Sequence, residues 1–195
     1  MHSPSHAGLP APHGLYDPRF EHDACGVSFV ADLRGRASRE IVSMGIGALC
    51  NMEHRGATGA EADTGDGAGI MIQTPLEFFF EECLKGGVHL PSFGRYGVGM
   101  IFFPKDIKLR EECRDIFNRT AERLGLDILT YRKVPVNPDG IGVSALSVEP
   151  EMEQVFVACP DHITNPEDFE RKLFVLRNHA THLISNTVRK DAIGF

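Results

Sequence analysis

Stretches with the two-residue period of a strand alternate irregularly with stretches of helical period along this chain of 195 residues, and no internal repeat orders them. That mixture points to layered α/β or α+β packing. The clearest element comes last: Asn165 is placed to cap a helix, Pro166 to start it, and Phe169, Leu173, Leu176, Ala180, Leu183 and Val188 keep helical spacing. A second amphipathic helix is predicted over about 109–124, with Leu109, Cys113, Ile116 and Leu124 inward and Gly125 as its stop. Ser38 is positioned to cap an earlier helix running to about Glu53, striped by Val42, Ile46, Leu49 and Met52. Thr74-Pro75-Leu76-Glu77 reads as a capping box opening a short aromatic helix that carries Phe78, Phe79 and Phe80 and ends at Gly86-Gly87. Strands are predicted over 26–33, where Val27, Phe29, Ala31 and Leu33 alternate, and over 70–73, 96–103 and 127–136, with another centred on 155–158.

Composition sets the outer bounds. With 42% hydrophobic and 24% charged residues, the chain can bury a core as one domain or as part of a larger one. A net charge of −7 argues against a nucleic-acid footprint, which calls for clustered basic residues. No apolar run approaches the length that spans a membrane. Residues 1–20 hold Pro4, Pro10, Pro12 and Pro18 among small and polar residues and read as a flexible leader, with His2, His6 and His13 scattered in it. Residues 1–24 lack the basic-then-apolar order of a secretory signal. The five cysteines are odd in number and widely spaced, so neither a disulfide framework nor a CxxC motif is offered, and a reducing cytoplasm is the expected compartment.

Cys25 stands where the polar leader meets the first apolar run, in Glu21-His22-Asp23-Ala24-Cys25-Gly26-Val27. Removal of the leader between Ala24 and Cys25 would give one residue both a thiol and a free α-amine, and an N-terminal nucleophile supplies its own base. The other reading is a buried structural thiol, which the residue pattern taken alone favours. His54-Arg55-Gly56 follows the first predicted helix. Arg55 is able to hold a carboxylate in bidentate fashion, and is equally suited to complementing a helix C-terminus. Gly65-x-Gly67-x-Gly69 precedes a predicted strand, the reverse of a dinucleotide fingerprint, and reads as a tight connection with positive-φ positions. His179 and His182 share a helix face without further zinc ligands at local spacing, so a partly exposed face is expected there.

Taken together, Gly14-Leu15-Tyr16-Asp17-Pro18, Glu21 to Val27, Asn51-Met52-Glu53-His54-Arg55-Gly56-Ala57 and Thr64-Gly65-Asp66-Gly67-Ala68-Gly69-Ile70 resemble the N-terminal part of the glutamate synthase large subunit, its class II glutamine amidotransferase domain. Weaker likenesses follow at Tyr131 to Pro135 and Phe169 to Leu173, so the resemblance runs through nearly the whole chain in the family's order. It implies an α+β fold, a four-layer αββα sandwich of the N-terminal-nucleophile hydrolases, present here in part. It also implies that Met1–Ala24 is a removed propeptide and that 25–195 is the N-terminal portion of the amidotransferase domain. Cys25 would be the catalytic nucleophile and Arg55 a supporting residue, and glutamine would be hydrolysed to glutamate and ammonia through a glutamyl thioester. Implied for other domains are the amination of 2-oxoglutarate, FMN, an iron–sulfur cluster and a small electron-donating subunit; no cofactor is implied for this segment. Ser28 departs from the family's usual Gly and Tyr131 from its common Trp. The family's oxyanion-hole and glutamine-binding residues lie beyond Phe195, so the resemblance implies that 25–195 alone is inactive. A non-catalytic relative acting as a binding or regulatory module, with Cys25 unprocessed, and a hydrolase acting on another amide are the rival expectations.

Overall fold

Three strands and three of the five α-helices carry most of the core in this computed structural model, which describes residues 14, 26–56, 61–65 and 67–188. The chain divides into two compact units, Met1–Gln73 with Gly140–Ser144, and Thr74–Asp139 with Ala145–Phe195. Cys25, Asp66 and the leader apart from Gly14 fall outside the described residues.

The second unit is built on an antiparallel sheet of β1 (Tyr96–Phe103), β2 (Ile128–Lys133) and β3 (Glu151–Ala158), in the order β1-β3-β2. Tyr96 pairs with Ala158 and Phe103 with Glu151 along one ladder; Lys133 pairs with Glu153 along the other, with a register shift between Ile128 and Thr130. Successive side chains of a strand point to opposite faces, and β3 uses both. Val155 and Val157 pack with Ala121, Phe169 and Leu176 on one face, where α3 (Ile107–Arg123) and α5 (Pro166–Thr187) lie. Phe156 packs with Phe79, Cys83 and Tyr96 on the other, beneath α2 (Leu76–Lys85). The Phe79 and Phe156 rings meet edge to face at 5.2 Å, and full burial of such a ring stabilises the fold by about 1.5–3 kcal/mol. Farther along β1 the α2 face is open: Met100 and Phe102 are exposed. Gly97 lets α5 approach β1, since a Cβ there would overlap the Leu173 side chain. Arg95 staples the turn before α5 by donating to the carbonyls of Ile163 (2.6 Å) and Pro160 (2.9 Å).

Most predicted elements stand where their signals lie, and the departures have local causes. Asn165 caps α5 by accepting from the Glu167 amide, and Gly125 ends α3 at φ 66°. The α3 helix begins before 109 because the Asp106 carboxylate accepts from the Leu109 amide at 2.9 Å and caps it there. The capping box at 74–77 does not form: Pro75 itself occupies the N-cap position, and no side chain bonds the first turn of α2. β2 stops at Lys133 rather than 136, close before Pro135, which has no amide to donate to a ladder. β3 reaches back to Glu151, and an unpredicted short helix, α4 (Val143–Val148), precedes it.

In the first unit, α1 (Arg39–Asn51) is capped as expected, with the Ser38 hydroxyl accepting from the Ile41 amide. The expected strands over 26–33 and 70–73 are absent: the residues there are irregular, and Val27, Phe29, Leu33 and Met71 are almost fully exposed. The alternation marks side chains suited to a buried face, but a strand exists only through a hydrogen-bonded neighbour, and none of the described residues pairs with either run. The α1 stripe is correspondingly half-covered, with no buried residue on the helix.

Candidate functional site

Helix α1 delivers its C-terminal residues into a 3-10 turn, Glu53–Arg55, closed by the Arg55 amide donating to the Met52 carbonyl (2.8 Å) and the Gly56 amide to the Glu53 carbonyl (3.0 Å). The backbone straightens at Gly56, φ −80° and ψ 156°, so the turn presents Arg55 half-buried beside an extended exit. His54 next to it is exposed. Both stand just past the C-terminus of α1, in the last turn of the 3-10 segment, where a positive charge also suits the helix dipole.

Gly26 packs on the same turn. A Cβ on Gly26 would stand 3.1 Å from the Met52 sulfur and 3.3 Å from Arg55 Cβ, so the absence of a side chain lets the backbone lie close against both. The residue that follows Cys25 is thereby set against Arg55. The Gly-rich stretch runs nearby in sequence. Of its three spaced glycines only Gly67 adopts a left-handed conformation, φ 88°, which bears out a tight connection at that point. Beyond it Ile70 reaches α1, where Gly45 leaves room for its Cδ1.

Sequence reasoning missed one group in this unit. Glu61 accepts hydrogen bonds from Thr64 Oγ1 (2.8 Å) and from the Ser144 amide (3.0 Å), 83 residues away. No local pattern in the chain signals a contact at that separation. The Ser144 amide, seconded by the Thr64 hydroxyl, holds the Glu61 carboxyl below the usual carboxylate range. On α5, His179 and His182 are both exposed, and His182 pairs with Asn186 one turn on at 2.9 Å. Among the described residues no three His, Cys, Asp or Glu side chains come together as a metal set, and no helix is long and apolar enough to cross a membrane.

The sequence profile of the class-II glutamine amidotransferases matches residues 25–193. The chain belongs to that family. Its relatives include the large chain of the NADPH glutamate synthase of Bacillus subtilis, 42% identical over 172 residues that make up 88% of this chain and 11% of the relative. The NADH glutamate synthase of Schizosaccharomyces pombe is 42% identical over 188 residues, 93% of this chain and 9% of the relative. A ferredoxin-dependent glutamate synthase of Synechocystis is 38% identical over 158 residues, 81% of this chain and 10% of the relative. The chain thus spans about a tenth of the length of the curated relatives it matches.

Proposed function

We propose that this chain is part of the glutaminase domain of a glutamate synthase, and that Cys25 becomes the first residue of the mature enzyme after removal of Met1–Ala24. The observation that carries this reading is the seat of Gly26 against Arg55 and Met52. The family match supports it by starting at Cys25 itself. In this reading the Cys25 thiol passes its proton to its own α-amine, and the sulfur attacks the side-chain amide carbon of glutamine. The amine returns the proton to the leaving ammonia, and water then cleaves the glutamyl thioester to glutamate and the free thiol. Arg55 supports the reaction by offering a planar fork of donors to a substrate carboxylate.

The four-layer sandwich is part of the same proposal. Two features support it: helices α3 and α5 cover one face of the sheet while Met100 and Phe102 leave the other partly open, and the apolar runs 26–33 and 70–73 have strand periodicity without strand partners. In the same reading FMN, the iron–sulfur cluster, the amination of 2-oxoglutarate and the small electron-donating subunit belong to other domains or chains, and the protein to the cytoplasm.

Intact mass of the native protein tests the reading. A chain beginning at Cys25 supports it, and Cys25→Ser should then abolish glutamine hydrolysis in the full native protein. A chain beginning at Met1 or His2 removes the amine base, returns Cys25 to a structural thiol and favours a non-catalytic binding or regulatory module.

A further inference from the structure

Met52 meets three parts of the site at once. Its amide donates to the carbonyls of Ala48 (3.2 Å) and Leu49 (3.0 Å) and ends α1, while its carbonyl accepts from the Arg55 amide and opens the 3-10 turn. The backbone of this one residue therefore fixes where the turn bearing Arg55 starts. Its half-buried side chain packs on Gly26. A Cβ on Gly26 would stand 3.1 Å from Met52 Sδ and 3.3 Å from Arg55 Cβ, and one of the neighbours would have to give way. Gly26 is not among the glycines with positive φ. An alanine could adopt its backbone, so it is closeness rather than conformational freedom that calls for glycine here. An unbranched thioether is suited to filling such an irregular gap. One peptide bond separates Gly26 from Cys25 in the sequence, and that bond keeps consecutive Cα atoms about 3.8 Å apart.

We propose that Met52 is a positioning residue for glutamine hydrolysis: its side chain sets the spacing between the chain that carries the nucleophile, at Gly26, and the arginine fork, at Arg55. The proposal rests on the glutaminase reading. In that reading Arg55 holds the substrate carboxylate, and the thiol of the residue before Gly26 attacks the amide at the other end of the same molecule. The spacing between the two seats is then matched to the length of glutamine. Removing the thioether leaves Arg55 in its turn, held by backbone bonds, and so leaves substrate capture in place. It frees Gly26 to shift, and a misplacement of about 1 Å costs on the order of 10²-fold in rate. The loss falls on kcat, whereas the loss from Arg55 itself falls on binding.

The test uses the full native protein. Glutamine hydrolysis is compared in wild type, Met52→Ala, Met52→Leu, Gly26→Ala and the double variant of Met52→Ala with Gly26→Ala. Expected is a kcat about tenfold lower in Met52→Ala and about 10- to 100-fold lower in Gly26→Ala, with KM for glutamine within about twofold of wild type. The pH dependence of kcat should keep its midpoint, because the thioether carries no charge. Met52→Leu restores a similar volume and should keep most of kcat. The double variant gives the added methyl the room that the thioether vacated, so its kcat should lie well above the product of the two single losses. If Met52→Ala does not fold, the milder truncation Met52→Val takes its place. A wild-type kcat in Met52→Ala overturns the proposal even if Tm falls, since Met52 then serves packing alone. A KM effect as large as the kcat effect, or strictly multiplicative losses in the double variant, also overturns it. A wild-type protein without glutaminase activity, or a Cys25→Ser variant that retains it, sinks the underlying reading instead, and these controls show that before any Met52 variant is measured.

Discussion

Arg114 Nη2 stands 2.6 Å from both carboxylate oxygens of Glu153, and its guanidinium lies between the rings of Phe103 and Tyr131, 5.6 and 4.9 Å from their centroids. Glu153 is a charged residue buried on the inward side of β3, which only such a partner makes tolerable. Tyr131 completes the group by donating to Asn118 Oδ1 at 2.7 Å, and burial pushes its phenol above the ordinary tyrosine range. Removing one partner leaves the other charge buried. Glu153→Ala should therefore lower stability by about 2–3 kcal/mol in urea denaturation, at or just below the low end of the roughly 3–5 kcal/mol range for broken buried pairs because Arg114 is a third exposed. The double change Arg114→Met with Glu153→Met should cost less than either single change. Equal or additive losses would show that the pair is not a unit.

The contact between Gly97 and Leu173 makes a separate prediction about packing. A Cβ at position 97 overlaps the Leu173 side chain, so α5 has to move away from β1. Gly97→Ala should cost about 1–3 kcal/mol, the usual range for overpacking. Leu173→Ala added to it should recover part of the loss, as judged by Tm. A neutral Gly97→Ala would show that α5 shifts without penalty.

Arg55 yields a prediction on affinity. A charge-assisted hydrogen bond to a carboxylate contributes about 1.5–3 kcal/mol, so Arg55→Ala should raise the KM for glutamine about 10- to 100-fold in the full native protein. Arg55→Lys keeps the charge without the planar fork and should recover little of that. Full recovery by lysine would mean that charge alone matters at this position.

Glu82 ties stability to pH. The Lys85 ammonium at 2.6 Å and the Arg132 guanidinium at 2.7 Å hold its carboxyl below the usual range. With the folded value depressed, the stabilisation is complete above the unfolded value near ~4.3 and fades as pH falls through the folded one. Glu82→Gln should therefore melt below wild type at neutral pH and converge on it in acid. A Tm gap that stays constant down to about pH 3 would assign the difference to something other than this ion pair.

Where structure follows from neighbours in sequence, the chain was readable. Ser38, Asn165 and Gly125 each act within a few residues, and the elements they bound stand as expected. The start of β3 was hidden because Glu151 and Glu153 break an apolar alternation, and Arg114, 39 residues away, is what allows Glu153 inside. The runs at 26–33 and 70–73 carry the side-chain rhythm of strands and no pairing, since pairing is a property of two segments. The candidate site divides in the same way. Arg55 and the tight turn at Gly67 could be picked out from short motifs, whereas the partner of Glu61 across the chain, Ser144, arrives from 83 residues away.

That arrival has a place in time. Ser144 follows Glu61 by 83 residues, and at synthesis rates of about 5–20 residues per second it leaves the ribosome roughly 4–17 s later. Helix α1, its Ser38 cap and the Arg55 turn are local and complete long before. The first unit is interrupted in chain order by 74–139, so its last tie waits until that stretch has been made. In the nascent chain residues 61–65 therefore exist first without their tie to Gly142 and Ser144, and a chaperone or protease on the growing polypeptide meets them in that unfinished form.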